Sequence, residues 1–141
     1  MHQRRQFLEN IKTQLETLPN FGSIMIQRIL PARNAWPAIT LFADQESVQT
    51  ESIHPSPRPQ DRALTISVVI WIKGGADDEK AEKDMDKYAA AVETALLKPI
   101  GADDMALVAT DFVVDEEEAE IHAVTLTYSL LYNTLENNPN V

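Results

Sequence analysis

The residues of this chain with the means to do chemistry are three histidines, 22 carboxylates and the Gly74-Gly75 pair; cysteine is absent. His2, His54 and His122 fall in the N-terminal segment, a proline-rich stretch and the last predicted strand, and none has the H-x-x-x-H spacing that puts two imidazoles on one helical face. Glu120 and His122 would share one side of a strand and, with Glu116 to Glu118, offer donors to a cation, but in so acidic a stretch surface charge is the simpler reading. Asp77-Asp78-Glu79 with Glu82 and Asp86 lacks the turn glycine and ligand spacing of a calcium loop. Gly74-Gly75 stands between a strand and a helix, where phosphate-binding turns sit. It is not G-x-G-x-x-G, no Lys-Ser/Thr pair follows, and the next residues include three acids that repel phosphate. No G-x-S-x-G is present. The expectation is a protein that is not an enzyme, with no cofactor and no metal site.

Composition narrows the class further. The 141 residues carry 12 Lys+Arg against 22 Asp+Glu, a formal net charge of −10. A chain of this length can bury about 70% of its unfolded surface, enough for one core without a metal or disulfide staple. No apolar run reaches the roughly 18 residues of a membrane span, and the basic start Met1-His2-Gln3-Arg4-Arg5 leads into no apolar signal segment. The expected setting is therefore a reducing cytoplasm, with no membrane partner. Affinity for phosphate backbones comes mainly from Lys and Arg, so this charge argues against nucleic-acid binding, sequence-specific binding included. The acidity is also uneven: residues 1–76 hold eight basic and six acidic side chains, whereas residues 77–120 hold four and fifteen.

Apolar spacing then places the elements. Phe7, Leu8, Ile11, Leu15 and Leu18 form one helical stripe over 4–18, ended by Pro19. Strands are predicted over 24–30, 36–42 and 48–53, with Pro37 confined to a strand start or an edge. Pro55, Pro57 and Pro59 exclude helix and central strand from the next stretch. From Ala63 to Lys73 the alternation is strict: Leu64, Ile66, Val68, Ile70 and Ile72 belong to one face, a core face, and Trp71 to the other. A helix follows to about residue 97, capped by acids at its start and burying Ala81, Met85, Tyr88, Ala89, Val92 and Leu96. Strands over 106–114 and 121–132, joined by the acidic turn Asp115 to Glu118, complete the chain.

This order, α-β-β-β-β-α-β-β, implies an α+β fold: a mainly antiparallel sheet with two helices packed on one face. One domain spans 1–141, folded over 1–136, with 137–141 a frayed tail and 45–62 a projecting loop or hairpin.

Two patterns, set in that order, resemble a known family. Trp36-Pro37-Ala38-Ile39-Thr40-Leu41 and the closing strand from Ala123 to Tyr132 are similar to corresponding strands of phage tail terminator proteins, the minor tail protein U family of lambda-like, long-tailed bacteriophages and prophages. The acidic turn and the strand leading into an acidic helix fit the same pattern, and the similarity runs from the first helix to Tyr132. The resemblance implies a virion structural protein with no catalytic activity and no organic cofactor. Its partners would be further copies of itself in a hexameric ring, the phage tail tube protein, and a head-completion or connector protein. The ring would cap the finished tube, ending its polymerisation, and present the head-joining surface. Its place would be the virion tail, reached from the host bacterial cytoplasm.

The proline-rich segment is the candidate contact with a neighbouring subunit or the tube, through apolar Val48 and Ile53 and charged Arg58 and Arg62. In a ring the basic first half would lie against a neighbour's acidic helix, or the acids would line the lumen and repel DNA. Two other readings stay open: another phage neck or tail-completion protein, and a small cytoplasmic α+β domain binding a ligand between helices and sheet. A metal-dependent enzyme using the acidic cluster ranks last.

Overall fold

Strict alternation makes Pro59–Lys73 (β3) the spine of the sheet, with Leu64, Ile66, Val68 and Ile70 all essentially inaccessible to solvent. The computed structural model describes residues 2–28, 36–51, 57–73, 78–97, 102, 104–114 and 121–135. Their elements are α1 (Gln3–Leu15), β1 (Ser23–Ile26), β2 (Ala38–Thr50), β3, α2 (Asp78–Ala95), β4 (Asp104–Val114) and β5 (Ile121–Leu135). Residues 38–42 and 48–50 of the stretches predicted as strands over 36–42 and 48–53 belong to one continuous strand, β2, which begins directly after Pro37. Gly74-Gly75, Ile53, His54, the acidic turn and the tail 137–141 lie outside the described residues.

The strands form one five-stranded sheet in the order β1-β2-β3-β5-β4. Every pairing is antiparallel except the short parallel contact of β1 with β2. Register sets the layers. Ile39, Ile70 and Val124 line up across three strands, as do Leu41, Val68 and Leu126, and each row points to the same face. Phe7, Ile11 and Leu15 of α1, Met85 and Val92 of α2, and Leu96 just after it join these residues in one core. Both helices therefore cover one face, α1 over β1 and β2, α2 over β3 and β5. Tyr88 is half-buried, its ring packed on that of Phe21 at 5.3 Å. His122 also points inward, in register with Ile72 and 1% exposed, so it is an interior residue and not part of an acidic surface.

No second layer covers the other face among the described residues. Its own side chains do part of that work: Trp71 lies across the sheet and donates from Nε1 to Thr40 Oγ1 at 2.9 Å, and both Ala38 and Thr40 are buried. At the neighbouring corner Arg28 stacks on the Phe42 ring, 4.7 Å from its centroid, and donates to the Ala43 carbonyl oxygen at 2.6 Å.

Candidate assembly surfaces

A bulge in β2 determines what the β2–β3 hairpin presents. Ala43 pairs with Ile66, but the next pairing is Gln45 with Thr65, so Asp44 is an extra residue and the alternation shifts by one. Glu46 then pairs with Leu64 and faces the helices. A carboxylate placed there must be satisfied, and three side chains meet it. Arg4 Nη1 from α1 lies 3.0 Å from Glu46 Oε2, Arg62 Nη1 lies 3.1 Å from the same oxygen, and the Tyr132 hydroxyl donates to Oε1. The ring of Phe7 packs edge-on against Tyr132 at 4.9 Å, closing the cluster toward the core.

Arg62 is more fully engaged than its sequence suggests. Its Nε donates to Thr134 Oγ1 at 2.8 Å and its Nη2 to Gln60 Oε1 at 3.1 Å, and its side chain is 12% exposed. It joins β2, β3, β5 and the start of α1 at one end of the sheet. Burial, together with the hydrogen bond to Glu46, pushes the Tyr132 hydroxyl well above the ordinary pKa of 10, against the opposing pull of Arg62. His2 caps α1 by accepting from the Arg4 backbone N–H at Nδ1, 3.0 Å away. In that tautomer Nε2 carries the proton, so its 3.3 Å approach to Arg62 Nη1 is a contact between two donors. Burial first, then the charges of Arg4 and Arg62, lower the His2 pKa below its ordinary value of 6.5.

The four residues predicted to form an interface are thus placed differently. Val48 pairs across from Arg62 and is 46% exposed. Arg58 is half-buried just before β3. Arg62 belongs to the internal cluster, and Ile53 lies outside the described residues. The segment 45–62 comprises hairpin arms paired down to Thr50 and Gln60, with β5 running alongside as far as Leu135. On the face away from the helices, Ser47, Gln49, Asp61, Leu131 and Asn133 line an open cavity of about 430 Å3.

The rim of the sheet beside β5 was not legible as a surface in the sequence. β4 spans 11 residues, and every one from Ala106 to Val113 is exposed, including Val108, Phe112 and Val113 at 53–60%. Register puts Phe112 level with the buried Val124 on the helix side, yet its side chain remains exposed. The apolar residues of β4 read like those of a core strand, because sequence does not report whether a layer covers a face. Among the described residues no group of three or more His, Cys, Asp or Glu side chains is placed to hold a metal ion, and no helix is long and apolar enough to cross a membrane.

No protein-family model matches the chain, and no curated protein matches it. Among solved structures it is similar to a chain described as "Virion of native gene transfer agent (GTA) particle", at 15% identity and a TM-score of 0.49, over 94% of this chain and 96% of that one.

Proposed function

We propose that this chain is a virion structural protein of a long-tailed phage or prophage, a tail terminator whose ring caps the tail tube and receives the head. The observation that carries the assembly role is the β4 rim. An 11-residue edge strand with Val108, Phe112 and Val113 exposed is a liability for a solitary protein, because unpaired backbone beside apolar side chains invites other chains. In a subunit that functions inside an assembly the same rim is a contact. The resemblance of the Trp36–Leu41 and Ala123–Tyr132 strands to tail terminators supports the particular assembly. Those segments run through β2 and β5, on either side of the central β3. The tail tube protein and a head-completion or connector protein are the proposed partners, and the virion tail the proposed location.

The test is deletion of the gene from its phage or prophage, followed by electron microscopy of the particles. The expected result is headless tails of uncontrolled length, restored to uniform length by supplying the chain in trans. Normal tails with heads attached would reject the function.

A further inference from the structure

We infer that copies of this chain associate head to tail, with the β4 edge of one subunit docking on the α1–β1 edge of the next. This deepens the reading of a tail ring by naming the two surfaces that meet. The sheet order puts β1 and β4 at opposite rims, and the helices follow suit, α1 beside β1 and α2 toward β4. The rims differ in charge. Residues 2–28, which hold α1 and β1, carry four cations against two acids, whereas α2 and β4 together carry three lysines against eight acids. Two β4 rims brought together would set Asp104 and Asp111 of one copy near those of the other and add two acidic α2 helices. A β4 rim on an α1–β1 rim instead sets acids against the more basic edge, where Arg5 is exposed and pairs with Glu9 at 3.2 Å.

The apolar surfaces agree with this pairing. β4 offers Phe112 and Val113, and the opposite rim offers Met25, 37% exposed on the four-residue β1. The bulge at Val108 divides β4, leaving an unbroken run from Ala109 to Val114 that is long enough to take a strand of four residues. Because the two surfaces are different, every open assembly keeps one free rim of each kind after every contact, and such a heterologous interface closes into a ring when its rotation permits.

The test uses purified chain and two exposed substitutions, Phe112→Lys on one rim and Met25→Lys on the other, with mass measured by light scattering and folding checked by circular dichroism. Each variant alone is expected to remain at monomer mass at concentrations where the wild type assembles. An equimolar mixture is expected to give a dimer and stop there, because each partner retains one competent rim. Arg5→Glu and Asp111→Lys form a second pair: each alone is expected to remain at monomer mass, and their mixture to assemble beyond the dimer, because the two altered rims again carry opposite charges. A Met25→Lys variant that self-associates like the wild type would overturn the pairing in favour of a symmetric β4 contact. Variants that both assemble normally would move the interface elsewhere while leaving the tail reading intact. A wild type that stays monomeric in solution and on tail tubes would overturn the pairing and the ring together. Tail length in the deletion strain does not depend on which rims meet, so the two ideas can fail separately.

Discussion

Glu46 Oε2 lies 3.1 Å from Arg62 Nη1, and the two side chains are 7% and 12% exposed, so the hairpin of β2 and β3 is closed near its tip by a largely buried ion pair. Arg4 and Tyr132 complete the environment of the carboxylate. Removing one partner of such a pair leaves the other charge buried and uncompensated, which typically costs about 3–5 kcal/mol. Glu46→Ala is therefore expected to lower stability by about 3 kcal/mol, read as a shift of the urea midpoint. The double variant Glu46→Leu with Arg62→Met should recover part of that loss. A Glu46→Ala chain as stable as the wild type would show that the cluster is solvated in solution.

Tyr128 gives the opposite expectation. Its side chain is buried, its hydroxyl has no hydrogen-bond partner among the described residues, and burial, reinforced by Glu93, pushes its pKa from 10.0 up to about 12. Removing a polar group that lacks a partner relieves its desolvation, so Tyr128→Phe should be neutral or stabilise by about 1 kcal/mol.

The same shift sets a pH dependence. The folded state holds the Tyr128 proton more tightly than the unfolded chain does, so the contribution is complete below pH 10 and is lost as pH rises toward 12. Tyr132 is shifted in the same direction. Melting temperature should fall above pH 10, and fall less steeply in Tyr128→Phe; parallel curves for the two proteins would argue against the buried phenol.

His2 titrates in the other direction. Its lowered pKa means that the folded chain favours the neutral ring, so this contribution is present above pH 6.5 and is lost as pH falls through the folded value. Protonation occupies the Nδ1 lone pair that accepts from the Arg4 N–H and releases the cap of α1. An NMR titration should place the His2 midpoint below 6.5, with the amide of Arg4 shifting in concert; a midpoint above 6.5 would contradict the cap.

Val48 is the exposed member of the predicted contact set. A substitution at such a position usually changes stability by less than about 0.5 kcal/mol, so Val48→Asp should fold normally. Tail capping is nonetheless expected to weaken in a complementation assay, and Arg58→Glu should act in the same direction. Full complementation by both variants would remove the hairpin from the tube or subunit interface.

Much of the layer structure was legible in the sequence because burial leaves a period. Leu64 to Ile72 announced a strand with one core face, and Ala81, Met85, Ala89 and Val92 announced the inward stripe of α2, as the structure shows. The cluster around Glu46 was not legible. Unbroken alternation from Leu41 would send Glu46 to the opposite face, and only the extra residue Asp44 turns it inward. Arg62 was misleading for a related reason: a cation near a proline-rich stretch looks available until its partners, some from β5 more than 70 residues away, are placed beside it. The bare β4 rim was hidden because its apolar residues read like those of any strand, and no local signal states how many strands two helices can roof.

The position of β5 between β3 and β4 also governs how the chain can be made. Synthesis delivers β4 before β5, yet among the described residues β4 pairs only with β5, and β3 lacks one flank until β5 arrives. Since domains emerge from the ribosome N-terminal end first, the nascent chain can pre-form the β1-β2-β3 half with α1, but β4 must wait. A product cut short before Ile121 therefore lacks the strand on which β4 is held, so the rim on which the proposed assembly rests is completed only when β5 has been made.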